Sequence, residues 1–143
     1  MRKNIFIDGE SGTTGLQVYE RLNKHPNVNI LPVDKDRRKS ASYKKEMLAS
    51  CDVVFLCLPD KSAIETVEIA DQLDNGSPII IDASTAHRTH QDWAYGLPEL
   101  GQNYRNKIIG SKRIAVPGCY PTGANIIIKP LIDKKYISIN NPI

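Results

Sequence analysis

Short apolar runs alternate with stretches in which apolar residues recur at helical spacing. Five runs are near-continuously hydrophobic, as is typical of strands buried on both faces of a sheet. They cover residues 4–8 (NIFID), 28–33 (VNILPV), 52–59 (DVVFLCLP), 79–84 (IIIDAS) and 113–118 (RIAVPG). Helices are predicted from Thr14, at residues 43–48, from Ser62 and at residues 121–132. Residues 85–106 form an irregular stretch longer than an ordinary loop, which indicates either a functional segment or hidden short elements.

Strands that alternate with helices predict right-handed crossovers and an α/β fold. We therefore expect a Rossmann-like, doubly wound, mostly parallel sheet. The chain has 143 residues, which suits one domain, residues 1–143. No internal repeat or linker divides it.

Composition narrows the classes of function. The net charge of +3 is spread along the chain without a long basic stripe, so nucleic-acid binding is not indicated. Apolar runs are too short to span a bilayer, and the N-terminus lacks a signal-peptide pattern, so no membrane role is expected. An odd number of cysteines, three, without a secretion signal disfavours a disulfide scaffold and favours a cytoplasmic location, and the lack of C-x-x-C spacing disfavours a metal site.

A glycine-rich segment, DGESGTTG, joins the first predicted strand to the first helix. Glycines let a backbone approach a pyrophosphate closely, and a helix N-terminus offers free N–H groups and partial positive charge. A purely structural turn is the alternative. Glu10 is expected to point away from any phosphate. The candidate cofactor-binding residues here are Gly9, Ser11, Gly12, Thr13, Thr14 and Gly15.

The end of the second predicted strand carries both acids and cations. Asp34 or Asp36 could bind a ribose 2′-hydroxyl, as in NAD enzymes, whereas Arg37, Arg38 and Lys39 could bind a 2′-phosphate. A solvated charged loop is the plainer alternative. Three successive cations favour NADP(H).

Cys119 follows the fifth predicted strand and precedes Pro121, a residue that suits the first turn of a helix. Ligands of open α/β sheets bind at this edge. A helix N-terminus also favours the thiolate, the nucleophilic form of cysteine. Cys119 is therefore the candidate nucleophile, while Cys51 and Cys57, in or beside an apolar run, are interpreted as core residues.

A cysteine nucleophile beside a nicotinamide suggests reduction of an acyl phosphate, or oxidation of an aldehyde, through a covalent intermediate. Such chemistry also needs a general acid–base, usually histidine. The chain offers His25, His87 and His90, and none of them stands out as that base.

The segments GESGTTG, FLCLPD, IIDASTAHR, YGLPEL and IAVPGCYPTGAN occur in this order. Together they resemble the N-terminal half of N-acetyl-gamma-glutamyl-phosphate reductase, particularly its short-form type. The resemblance implies NADPH-dependent reduction of an acyl-phosphate substrate, N-acetyl-glutamyl 5-phosphate, to the semialdehyde in arginine biosynthesis. It implies that Cys119 forms a thioester, that Leu58, Pro59 and Ser84 lie near the nicotinamide, and that Arg88 and Glu99 lie near the substrate.

Members of that family have a second, α+β half with the histidine base, and the resemblance covers none of it here. We therefore expect a fragment with little turnover, an exposed apolar face, and a homo-oligomer in the full-length form. Two alternatives remain. One is an aspartate-semialdehyde dehydrogenase-like enzyme, whose cysteine usually stands in an Asn-Cys-Ser-Thr context rather than before Tyr120, Pro121 and Thr122. The other is a non-catalytic NADP-binding module.

Overall fold

One parallel sheet organises the chain. The computed structural model describes residues 2–74, 76–138 and 140, and those residues form six strands in a single sheet. The strands are β1 (Lys3–Asp8), β2 (Val28–Ile30), β3 (Val53–Leu56), β4 (Ile79–Asp82), β5 (Ala94–Tyr95) and β6 (Arg113–Ala115).

The strand order is β2-β1-β3-β4-β6-β5, and every neighbouring pair is parallel. The chain winds from β1 outward to β2 and then returns past β1 to β3. Strand order thus reverses between β1 and β3, and a crevice for ligands opens at such a reversal, beyond the carboxyl ends of the strands. The predicted Rossmann-like α/β fold is confirmed.

The described part of the chain has five α-helices and one short 3₁₀ helix, Pro98–Leu100. The α-helices are α1 (Thr13–Leu22), α2 (Ala41–Ser50), α3 (Asp60–Asp71), α4 (Gln102–Gly110) and α5 (Cys119–Asp133). Helices α2 and α3 pack against each other, and α1 packs on β1 and β2.

The core lies where the central strands meet α2 and α3. Phe6, Leu56 and Ile80 are buried there, together with Leu48 of α2 and Ala70 of α3. This packing is what a near-continuous hydrophobic strand requires, since both faces must be covered. The core therefore holds the carboxyl ends of β1 and β3 at fixed positions.

The observed elements differ from the predicted ones mainly at their boundaries: β3, β4 and β6 end two or three residues earlier than predicted, and α2 and α3 begin two residues earlier. Strand β2 ends at Ile30 rather than at residue 33, and α5 begins at Cys119 rather than at residue 121. The segment 85–106 contains β5, the 3₁₀ helix and the start of α4, so it holds the hidden short elements that its length indicated. A strand of two residues and a single 3₁₀ turn are too short to produce a detectable periodicity.

Candidate functional site

A cavity of about 750 Å³ opens at the carboxyl edge of the sheet, between the ends of β1 and β3. This is the position where strand order reverses. Of the residues predicted to bind cofactor, the cavity wall contains Gly9, Ser11, Gly12, Arg38, Leu58 and Pro59. Thr13, Thr14, Gly15, Arg37 and Ser84 lie outside that wall.

The glycine segment is a cradle that side chains would fill. Gly9 has a φ of +93°, and a Cβ there would lie 2.3 Å from the carbonyl oxygen of Cys57. A Cβ on Gly15 would lie 2.2 Å from the carbonyl oxygen of Gly9. Gly12 is the N-cap of α1, and its N–H donates to Gly9 at 3.1 Å. Since the loop closes tightly onto a helix N-terminus beside a large cavity, these residues fit a dinucleotide pyrophosphate.

The three successive cations do not point the same way. The Arg38 guanidinium donates to Ser11 Oγ at 3.0 Å, which joins it to the glycine segment, and Lys39 also lines the cavity. Arg37 instead lies over the Tyr43 ring and contacts Glu46 at 3.2 Å. Arg38 and Lys39 are therefore part of the cavity wall, whereas Arg37 packs against α2.

Asp34 and Asp36, the two acids that could bind a ribose 2′-hydroxyl, follow β2. The Asp34 carboxylate accepts the backbone N–H groups of Asp36 at 2.9 Å and Arg37 at 3.3 Å. Neither acid belongs to the cavity wall. Asp34 therefore closes the turn that presents Arg38.

A buried ion pair lies beneath the glycine segment. Asp8 Oδ2 accepts from Lys44 Nζ at 2.7 Å, and Lys44 also donates to Thr66 Oγ1 at 2.9 Å. Sequence reasoning missed all three residues. One signal was available, because Asp8 is a carboxylate that ends an apolar strand immediately before the first loop glycine. Glu10, which is predicted to point away from a phosphate, is among the residues that line the cavity.

Cys119 is the first residue of α5 and is exposed. Gly118 is the helix N-cap, and its carbonyl oxygen accepts from both the N–H and the hydroxyl of Thr122. The segment between β6 and α5 is short, so the thiol stands just beyond the carboxyl end of β6. It is on the same edge of the sheet as the cavity but is not part of the cavity wall.

Arg88 forms hydrogen bonds with the segment that leads into α5. Its Nε donates to the carbonyl of Val116 at 3.0 Å and its Nη2 to the carbonyl of Ala83 at 3.1 Å. A Cβ on Gly118 would lie 2.8 Å from Arg88 Nη1, so this glycine gives the guanidinium room beside Cys119. The structure thereby brings two sequence candidates, Arg88 and Cys119, to one place.

Asp82 organises the segment that carries Arg88. Its buried carboxylate accepts from the N–H and hydroxyl of Ser84 at 2.9 and 2.7 Å, and it pairs with His87 Nδ1 at 2.7 Å. The His87 ring stacks on Trp93 with centroids 4.1 Å apart. Ser84 and His87 therefore belong to a buried network, and sequence reasoning did not foresee Asp82 or Trp93 as parts of it.

The remaining candidates are exposed. His25 and His90 lie on loops, and Glu99 lies in the 3₁₀ helix, which contacts α5. Asp60, the first residue of α3, accepts both the N–H and the hydroxyl of Thr85. These hydrogen bonds, the one from the hydroxyl above all, hold the pKa of Asp60 below its usual range.

All three cysteines are free, but their surroundings differ. Burial raises the pKa of Cys51 to about 12 and that of Cys57 to about 11. Cys51 packs against the core, as expected of a structural residue. Cys57 lines the cavity beside Gly9, so it is not only a core residue as predicted.

Comparison with known proteins decides the family. Residues 34–108, just over half of the chain, match the semialdehyde dehydrogenase NAD-binding domain. The chain belongs to this family. Within the described residues, no helix has the length and apolarity needed to cross a membrane.

Curated relatives identify a more specific similarity within this family. The chain is 43% identical over 143 residues to N-acetyl-gamma-glutamyl-phosphate reductase 2 of Nostoc sp., covering 99% of this chain and 43% of that protein. It is 40% identical over 143 residues to N-acetyl-gamma-glutamyl-phosphate reductase of Brucella ovis, covering 100% of this chain and 46% of that protein. The resemblance indicated by the motifs is confirmed. The chain spans less than half the length of these relatives.

Solved structures show the same fold at low identity. Aspartate semialdehyde dehydrogenase II from Vibrio cholerae superposes with a TM-score of 0.68 at 16% identity, covering 94% of this chain and 43% of that one. The enzyme from Candida albicans, solved with NADP, gives a TM-score of 0.66 at 17% identity, covering 94% of this chain and 48% of that one. At these identities, the likeness concerns the fold alone.

Proposed function

We propose that this chain is the cofactor-binding and nucleophile-bearing half of an NADPH-dependent N-acetyl-gamma-glutamyl-phosphate reductase. The observation that carries the proposal is the placement of Cys119. An exposed thiol begins a helix at the same sheet edge as the glycine cradle, within a semialdehyde dehydrogenase NAD-binding domain. The reaction converts N-acetyl-glutamyl 5-phosphate to the 5-semialdehyde and belongs to arginine biosynthesis.

The glycine segment and the cavity wall supply the contacts for the coenzyme. We assign the pyrophosphate to the cradle of Gly9, Gly12 and Gly15, with hydroxyl donors from Ser11, Thr13 and Thr14 alongside. The 2′-phosphate is assigned to Arg38 and Lys39, because these cations line the cavity and Arg37 does not. Leu58 and Pro59 form an apolar part of the wall, on the side where β3 ends.

Cys119 performs the covalent step. Its thiolate attacks the acyl carbon, the bond from that carbon to the phosphate oxygen breaks, and inorganic phosphate leaves with the bonding electrons. The product of this step is a thioester on Cys119. When bound, a nicotinamide coenzyme supplies the hydride that reduces such an acyl group to an aldehyde. The Arg88 guanidinium beside Gly118 is placed to attract the anionic substrate, and Glu99 is a second candidate for substrate contact.

The whole reaction needs groups beyond this domain. Histidines of the described chain are either exposed on loops or, like His87, held in the Asp82 network, so we assign the general acid–base to the second half of the family's chain. Ile126 and Ile127 of α5 are exposed, and no described residue of that helix is buried. We propose that this face is covered in the full-length enzyme by that half or by another subunit of a homo-oligomer, and that the enzyme is cytoplasmic.

The decisive test is acylation of the chain. On mixing with N-acetyl-glutamyl 5-phosphate, we expect about one equivalent of phosphate to be released and one N-acetyl-glutamyl group to be found on Cys119 by peptide mass spectrometry. Cys119→Ala is the negative control, and Cys51→Ala should acylate normally. Acylation by aspartyl phosphate instead would favour an aspartate-semialdehyde dehydrogenase-like enzyme, and no acylation by either would favour a non-catalytic NADP-binding module.

Coenzyme choice is tested separately by fluorescence titration. We expect NADPH to bind more tightly than NADH, and Arg38→Ala to remove most of that preference while Arg37→Ala leaves it. A ratio of Kd values near one in the unaltered chain would contradict the assignment of the 2′-phosphate.

A further inference from the structure

We propose that Lys44 neutralises the negative charge of Asp8 and thereby lets the cavity bind an anionic dinucleotide. In this proposal Lys44 is a positioning residue: it cancels the buried carboxylate under the glycine cradle rather than serving as the main contact to phosphate. The inference rests on the proposed function, because it presumes that the cavity binds a nicotinamide dinucleotide.

Three separate elements meet in this pair. Asp8 ends β1, Lys44 comes from the first turns of α2, and Thr66 comes from the middle of α3. Thr66 is completely buried, while the Asp8 and Lys44 side chains are only 7% and 13% exposed. A charge this far from water must be paired, since an isolated buried carboxylate is strongly disfavoured. Lys44 therefore neutralises a charge that solvent cannot screen.

The position of that charge makes it consequential for binding. Asp8 is directly followed by Gly9, whose backbone forms the floor of the cradle, and Asp8 itself lines the cavity. The N-terminus of α1 attracts anions, but an unpaired carboxylate next to it would oppose this attraction. Coulomb repulsion at this short range and in a poorly screened site is large.

The rest of the wall offers no spare positive charge. Among the described residues, the wall contains four carboxylates and, besides Lys44, only the two cations Arg38 and Lys39, so Lys44 brings its net charge closer to zero. Without Lys44, four carboxylates would face two cations. The described wall has four acidic residues, Asp8, Glu10, Glu65 and Glu68, and three basic residues, Arg38, Lys39 and Lys44.

A charge series tests the proposal, with Kd for NADP⁺ measured by calorimetry at constant ionic strength on variants shown to be folded by circular dichroism. Lys44→Met should weaken binding about tenfold or more, and Lys44→Arg should bind nearly as the parent chain does. Asp8→Asn should bind at least as tightly as the parent. The double variant Asp8→Asn/Lys44→Met should return to near-parental affinity, because the pair is then neutral.

A purely mechanical brace predicts a different order. If the pair acts only by holding the loop, Asp8→Asn and the double variant should lose as much affinity as Lys44→Met, and that result would overturn the inference. If Lys44→Met does not fold, Asp8→Asn and the double variant still decide, because neither contains the buried carboxylate. A loss of affinity beyond about threefold in Asp8→Asn would contradict the repulsion on which the proposal depends.

The matched control is Lys3, which pairs with Asp52 at 2.9 Å at the opposite end of β1. Lys3→Met should leave the Kd unchanged, and an equal loss there would mean that overall charge, not the pair under the cradle, sets affinity. Failure of the parent chain to bind NADP⁺ would overturn both this inference and the proposed function. If the parent chain binds NADP⁺ but the Kd values of the variants do not follow the predicted order, only this inference is overturned.

Discussion

Two helices begin at the carboxyl edge of the sheet, and their first turns are built for different purposes. Both α1 and α5 follow a parallel strand, and both have a glycine N-cap in an extended conformation, Gly12 and Gly118. At α1, backbone packs on backbone, because Gly15 lies against Gly9. At α5, the first residue is an exposed cysteine, and a guanidinium rather than backbone fills the space beside its cap.

Under the proposed function, the difference lets one local motif serve two chemistries. At α1, glycines at the points of closest backbone approach leave free N–H groups for an anion, which is what a pyrophosphate needs. At α5, the first helical residue is a cysteine, whose thiol lies in the same kind of partial positive charge. Strand-to-helix connections of nearly the same local structure can therefore bind or react, depending on which positions carry side chains.

The largest contrast is expected between the thiols at the two turns. Cys57 lies beside the α1 cradle and has a pKa of about 11, so at pH 8 roughly one molecule in a thousand carries the thiolate. Cys119 is exposed at the start of α5. With iodoacetamide at pH 8 we expect alkylation at Cys119 first, with Cys57 and Cys51 modified only after unfolding.

Peptide mass spectrometry against time measures this contrast, and urea-unfolded protein is the control in which all three thiols should react. Raising the pH toward 11 should increase alkylation of Cys57, since the thiolate form grows as the pH approaches the pKa. Equal rates at Cys57 and Cys119 in folded protein at pH 8 would contradict the described burial.

Glycine-to-alanine changes in the two helices should have opposite effects on stability. Gly15→Ala places a Cβ 2.2 Å from a backbone oxygen that cannot move aside, so we expect a loss of about 1–3 kcal/mol and weaker NADP⁺ binding. Gly123→Ala in α5 meets nothing within 4 Å and should stabilise the helix by roughly 0.5–1 kcal/mol. Urea unfolding measures both, and similar values for the two variants would show that α1 is not closely packed on its loop.

The smallest expected effect concerns the support of the α5 turn. Asp60 accepts two hydrogen bonds from Thr85, in the segment that carries Arg88, and its pKa lies below the usual 3.8. A lowered carboxyl pKa contributes stability that is complete above the usual value and is lost as the pH falls through the lower, folded-state value. Asp60→Asn should therefore reduce Tm slightly at pH 7, and the difference should vanish in acid.

Thermal unfolding across pH 2–7 measures that difference. Asp74→Asn, which also removes an exposed aspartate, controls for the loss of one surface carboxylate. A Tm difference for Asp60→Asn that persists undiminished in strong acid would mean that the hydrogen bonds to Thr85 do not depend on the charged carboxylate.

Local patterns were enough to predict much of this molecule. Buried strands and the order in which they alternate with helices follow from hydrophobic runs, which report what each segment must bury. The glycine segment and the thiol after β6 were also predicted, because strand ends in a parallel sheet share one edge. The short β5 escaped prediction, since two residues contain no period.

Long-range placement decided the rest. Lys44 reaches Asp8 across 36 positions of sequence, and Arg88 reaches Val116 across 28. Of the three adjacent cations, Arg37 packs on Tyr43 while Arg38 and Lys39 line the cavity, a division that the sequence does not show. The sequence by itself determined the fold class, the cradle and the candidate nucleophile, because each depends on neighbours along the chain. Charge pairing beneath the cradle and the guanidinium beside Cys119 depend on which elements pack together, and only the tertiary structure decided them.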